Sequence, residues 1–123
     1  MKVTNGIDII EISRIKKNIE ENGDRFLKRI YTENEIKYCE SKKKQRFESY
    51  AARFAAKESI FKALSLFIKE DYSWTDFEVL NDEYGRPNVN LKIKIENIEN
   101  IEISLSHCKE YAIASVIVTY KEN

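Results

Sequence analysis

The sequence predicts an α+β fold, an antiparallel β-meander packed by a long central helix and shorter helices. Three observations carry this. Residues 3–12 (VTNGIDIIEI) are dense in β-branched side chains. From about Gln45 to about Phe67, apolar residues recur at spacings of three, four or seven, as one buried helix face requires. Beyond residue 72, apolar and polar residues alternate in short runs between turn signals. Strand, helices, then strands in that order places the helices on one face of an antiparallel sheet.

Val3 to Ile12 opens the chain as a strand. Its one glycine, Gly6, marks a close backbone approach or a bulge. Asp8 breaks the apolar run, and by alternation Ile10 shares its side. Ser13 is placed to cap a helix through about Glu21, which Asn22-Gly23 stops. Arg25, Lys28 and Arg29 carry basic character through a short second turn. Thr32-Glu33-Asn34-Glu35 has the form of a capping box and starts a helix to about Ser41. Lys42-Lys43-Lys44-Gln45-Arg46 is a cationic connector, usually a solvated loop and also a place to hold phosphate.

In the central helix, Phe47, Ala51, Phe54, Phe61 and Ile68 read as the buried stripe, and Glu58 falls on it. A carboxylate there is costly unless a cation, a proton or hydrogen bonds compensate it. The bland reading is an intrahelical Glu58–Lys62 pair. Strands follow at Tyr72 to Leu80 and Asn88 to Ile95, joined by the turn Asn81 to Pro87, and then at Ile101 to His107 and Tyr111 to Tyr120. No repeat or linker divides residues 1–123, and this length suits one domain.

Composition narrows function. Lys plus Arg and Asp plus Glu number 21 each. A nucleic-acid coat, which needs a basic surplus, is therefore not expected. No apolar run approaches the ~18 residues of a membrane span, and no signal-peptide pattern opens the chain. A cytoplasmic protein is expected. Cys39 and Cys108 have no metal-ligand spacing and read as unlinked thiols.

Asp8, Glu58 and His107 are ionisable residues in otherwise apolar patterns. Two carboxylates from different elements, if they converge, require a cation between them. Few hard oxygen ligands suit Mg²⁺, which completes its shell with water and substrate phosphates. Arg53, Lys57 and Lys62 beside such a site would neutralise those phosphates. This points to a Mg²⁺-dependent site for a phosphate or pyrophosphate ester. A phosphohydrolase and a non-catalytic binding module remain the competing readings.

GIDIIEISRI, RFAAKESIFKAL, GRP and SLSHCKEYAIA, in this order over nearly the whole chain, resemble the holo-acyl-carrier-protein synthases. These are the small bacterial class of 4′-phosphopantetheinyl transferases. The resemblance implies that family's fold and its reaction. The 4′-phosphopantetheine arm of coenzyme A passes to a serine of apo acyl carrier protein, and adenosine 3′,5′-bisphosphate leaves. It implies Asp8 and Glu58 as Mg²⁺ ligands and Lys62 against the phosphates, with Arg53 and Lys57 beside them. The proton acceptor is Glu58, or a water it orients, or neutral Lys62. Ser106 and His107 match a segment of the coenzyme A pocket reached from a neighbouring subunit. Gly85, Arg86 and Pro87 match a turn near the adenine end, although a plain hairpin corner explains them equally. Arg14, with Arg25 and Lys28, matches the docking site for the carrier's acidic helix. Phe26 and Phe54 are apolar candidates there, with core packing the alternative. The resemblance also implies a homotrimer with sites at subunit interfaces, and service to fatty-acid or secondary synthesis.

Overall fold

The structure, a computed structural model, describes residues 1–69 and 71–122. Strand β1 (Lys2–Glu11) leads into helices α1 (Ile12–Asn22), α2 (Asp24–Ile30), α3 (Glu33–Glu40) and α4 (Arg46–Leu64). Strands β2 (Phe77–Asn81), β3 (Pro87–Leu91), β4 (Ile98–His107) and β5 (Tyr111–Tyr120) follow. All pairing is antiparallel, but the strands form two sheets rather than one meander. One has the order β1-β5-β4, and β2-β3 is a separate hairpin.

The central helix lies on the three-stranded sheet through small residues. Ala51, Ala52, Ala55, Ala56, Ser59 and Ala63 are all buried. Small side chains let the helix backbone approach the strands closely, and Gly6 is where it does so. A Cβ at Gly6 would lie 2.1 Å from the Ser59 carbonyl oxygen. The Ser59 hydroxyl lies 2.8 Å from Ala55 O and 3.0 Å from Ala114 O, its one proton shared between them. The close approach expected at Gly6 is thus a helix crossing.

Of the stripe expected to be buried, Ala51 is buried, but the phenylalanines and Glu58 lie on a flank. Phe47, Phe54, Phe61 and Glu58 are all half-buried. The three phenylalanines outbulk the alanines, so periodicity weighted by hydrophobicity picked the wrong face. Phe54 stacks on Trp74 with ring centroids 5.0 Å apart, and Phe61 meets Trp74 and Phe77 edge-on.

Several boundaries differ for local reasons. Helix α1 begins at Ile12 with Glu11 before it and no side-chain cap, so Ser13 is inside the helix. Gly23 stops it as expected, at φ 52°. Both arms of the Thr32–Glu35 capping box form. The central helix ends at Leu64, not Phe67. The strand expected from Tyr72 starts only at Phe77, because Ser73 and Asp76 form a capping box around a 3₁₀ turn (Trp74–Asp76). β3 then stops at Leu91, which pairs with Phe77, the first residue of β2. Among the described residues, Ile93 and Ile95 have no strand partner despite their alternation.

Candidate active site

Alternation along β1 puts Asp8 on the face shared by Gly6 and Ile10, the face that α4 covers. Glu58 comes from α4, and Lys62 lies one turn further on. The Lys62 ammonium donates to Ile7 O at 2.9 Å and to Asp8 Oδ1 at 3.1 Å. Lys62 therefore pairs across elements with Asp8, and the intrahelical Glu58–Lys62 pair does not form among the described residues. Burial pushes the Glu58 carboxyl above the ordinary glutamate range, and the adjacent Asp8 charge adds to the rise. Lys62 and Arg14 partly offset it. Four charged groups from β1, α1 and α4 thus meet at one place.

The donor set fits a hard divalent cation. A carboxyl whose ionisation is opposed by burial and by a neighbouring carboxylate is relieved by a metal between the two. Among the described residues no third His, Cys, Asp or Glu joins them. That leaves coordination positions for water and ligand phosphate, as Mg²⁺ requires and a closed structural site does not allow.

Arg53 and Lys57 are not part of this cluster. Five residues apart on a helix, Arg53 and Glu58 point about 140° from one another. Lys57 has a fully buried side chain. Its ammonium lies 2.8 Å from Glu35 Oε1 and donates to Trp74 O at 2.9 Å and Phe77 O at 2.6 Å. The phosphate role expected for Lys57 is therefore corrected, because its donors tie α4 to α3 and the β2 entry. Glu35 escaped the sequence reading as a buried residue. Its capping role was visible, but one oxygen caps Thr32 while the other accepts from Val79 N at 2.8 Å.

Arg53 is only 3% exposed. Its Nε donates to Val79 O at 3.1 Å, Nη1 to Ser49 Oγ at 3.2 Å and Nη2 to Asn81 Oδ1, and its guanidinium stacks over the Tyr38 ring. It also lines a cavity of about 570 Å³ on this second flank of α4, with Lys42, Glu48, Asn81, His107 and Lys109. Arg53 and His107 are thereby brought together, away from Asp8 and Glu58. Ser106 alternates to the other face of β4 from His107, opposite Ile113, and is exposed. Gly85 (φ 80°), Arg86 and Pro87 form the exposed tip and return strand of the β2–β3 hairpin. Asn81, Glu48 and Lys109 had no sequence signal, because their shared cavity joins β2, α4 and the β4–β5 turn. Lys42 belonged to the cationic connector already singled out.

Arg14, Arg25 and Lys28 are exposed on α1 and α2. Arg14 borders the carboxylate cluster and the other two lie along the next helix. Phe26 and Phe54 stack at 6.5 Å, both half-buried. Cys39 is buried and Cys108 exposed, and both are free thiols, as the sequence suggested. Among the described residues, no helix is long and apolar enough to cross a membrane.

Comparisons with known proteins agree on one relationship. The sequence model of the 4′-phosphopantetheinyl transferase superfamily matches residues 5–116. The holo-[acyl-carrier-protein] synthase of Ruminiclostridium cellulolyticum is 42% identical over 97% of this chain and 93% of its own length. That of Chloroherpeton thalassium is 49% identical over 92% of this chain and 94% of its own. Among solved structures, a holo-(acyl-carrier-protein) synthase from Bacillus anthracis in complex with CoA (3′,5′-ADP) superposes with a TM-score of 0.80. It is 38% identical, and 96% of each chain is covered.

Proposed function

The chain belongs to the 4′-phosphopantetheinyl transferase superfamily, and from that premise we propose how its residues carry the reaction. The protein transfers the 4′-phosphopantetheine group of coenzyme A to apo acyl carrier protein. The acceptor is a serine hydroxyl, the leaving product is adenosine 3′,5′-bisphosphate, and the reaction requires Mg²⁺. One observation carries this reading: Asp8 and Glu58, from two elements, meet beside Lys62 and Arg14.

Asp8 and Glu58 hold the metal. When bound there, Mg²⁺ offsets the charge of the coenzyme A pyrophosphate and of the leaving phosphate. Lys62 fixes Asp8 through its Oδ1 and offers its ammonium to the same phosphates. Since Lys62 is engaged as a cation by Asp8 and the Ile7 carbonyl, Glu58 is the better proton acceptor for the serine, directly or through a water it orients.

The cavity beside Arg53, Lys42, Lys109 and His107 takes the nucleotide end of coenzyme A, its cations matching a phosphate. Arg86 on the adjoining hairpin tip is near the base. The cavity and the carboxylates lie on opposite flanks of α4, which favours a site completed by a second copy. The other face of the three-stranded sheet is open, with Ile7 and Ile9 each 59% exposed and Ile117 47%. An apolar sheet face of this kind suits the homotrimer seen in the family resemblance. Arg14, Arg25 and Lys28 steer the acidic carrier protein to the carboxylate side. The enzyme works in the cytoplasm.

The test is an intact-mass assay of apo acyl carrier protein with this protein, coenzyme A and Mg²⁺. One phosphopantetheinyl group should be gained, and the gain should be lost with EDTA and in Asp8→Ala and Glu58→Ala. Hydrolysis of coenzyme A with no modified carrier would overturn the reading.

A further inference from the structure

The β2–β3 hairpin tip is built almost wholly from its own polar groups. Asp82 Oδ1 accepts from Tyr84 N and Arg86 N, both at 2.9 Å. Asp82 N donates to Arg86 O at 2.8 Å, and Gly85 N donates to Asp82 O at 2.9 Å. One side chain joins this unit to the rest of the protein through two separate hydrogen bonds. The Asn81 amide nitrogen donates to Gly85 O at 2.9 Å, while its carbonyl oxygen accepts from Arg53 Nη2. Asn81 is opposite Pro87 in the ladder, where proline offers no N–H to complete the last rung.

Arg53 is itself fixed on all sides by Val79 O, Ser49 Oγ and the Tyr38 ring. Three of its five N–H groups are used within the protein, and the residue also lines the cavity. The chain Arg53–Asn81–Gly85 therefore runs from a buried cation at the cavity wall to the backbone of the exposed tip. Asparagine is suited to this link because it supplies an acceptor and a donor on one planar group. Aspartate lacks the donor and leucine lacks both.

We infer that Asn81 is a positioning residue for coenzyme A. Its amide locks the Gly85-Arg86-Pro87 tip to Arg53, so that the cavity cations and the tip meet the nucleotide as one preorganised surface. This rests on reading the cavity as the nucleotide site. Without the link, the tip keeps its internal bonds but loses its orientation relative to Arg53. The cost then falls on nucleotide binding rather than on the chemical step, which takes place across α4.

Three variants test it in the full-length protein: Asn81→Leu, Asn81→Asp, and His107→Ala as a probe of the cavity itself. Asn81→Leu is expected to raise KM for coenzyme A about tenfold, with kcat and KM for the carrier protein within about twofold of the parent. Asn81→Asp, which keeps the bond from Arg53 and loses that to Gly85, is expected to fall between the two. Thermal unfolding of all three should match the parent within a few degrees. If His107→Ala raises KM for coenzyme A and Asn81→Leu does not, the link is overturned while the cavity assignment stands. If neither changes that KM, the cavity assignment fails first. Equal losses in kcat and both KM values for Asn81→Leu, together with a lowered Tm, would make Asn81 a general structural residue and overturn the proposal.

Discussion

At Lys62 the charge arrangement separates position from stability. Its side chain is 54% exposed and its pair with Asp8 is open to solvent on one side, so the pair contributes about 1 kcal/mol or less to folding. In the proposed reaction, its place beside both carboxylates gives it a larger share. Lys62→Met is expected to lower kcat by about 10²-fold or more with little change in Tm, checked by steady-state assay and thermal unfolding. Lys57→Met should do the reverse. It leaves Glu35 buried and deprived of its ammonium partner, a change of about 3–5 kcal/mol in stability, read from urea unfolding. Two lysines of one motif thus separate by burial: one pairs with Glu35 in the interior and the other is exposed beside Asp8. The sequence placed both at the phosphates, because a linear motif does not say which way each side chain turns.

The crossing of β1 and α4 depends on Gly6. An added Cβ would meet backbone atoms, the Ser59 carbonyl oxygen at 2.1 Å and the Ala63 nitrogen at 3.0 Å. Neither can rotate away. Gly6→Ala is expected to destabilise by about 3 kcal/mol or more, and to weaken activity through the altered spacing of Asp8 and Glu58, measured by urea unfolding and assay. The hairpin is anchored differently, by Glu78 between α3 and β3. Burial opposes ionisation of Glu78, but bonds from Thr32, Asn90 and Lys92 outweigh it and hold the carboxyl below the ordinary glutamate value. With the folded-state pKa depressed, the native state binds fewer protons than the unfolded chain in the interval between the two values. Glu78 therefore contributes stability that is fully present above the unfolded pKa, near 4.5, and is lost as pH falls through the folded one. Glu78→Gln should flatten the acid side of the stability curve below about pH 4.5, followed by unfolding at several pH values.

For the molecule as a whole, the open face of the three-stranded sheet is an apolar surface that a single chain leaves uncovered. Ile7 and Ile9 on β1 and Ile117 on β5 project away from α4. The proposed trimer covers them. Ile7→Lys with Ile117→Lys is expected to shift the protein from trimer to monomer in sedimentation velocity, with loss of transfer activity and retained secondary structure. A monomer in the parent protein, or full activity in the monomeric variant, would separate assembly from function.

The sequence by itself determined the elements and the two acidic positions. A β-branched strand holding Asp8, a helix holding Glu58 and the Thr32 capping box are local patterns, fixed by residue type and period. Only the tertiary structure decided which helix face is buried, because Ser59 and Ala63 lie against Gly6 and the alanines of that helix are buried, while the bulkier phenylalanines occupy a flank. It also decided that Lys57 is interior, that Lys62 answers Asp8 rather than Glu58, and that Asn81 reaches Arg53. These are contacts between residues 28 and 54 positions apart or, for Lys57 and Glu35, between two helices. A local period carries the spacing within an element but not the rotation of one element against the next. That rotation is set by packing and by the partners that buried charges require.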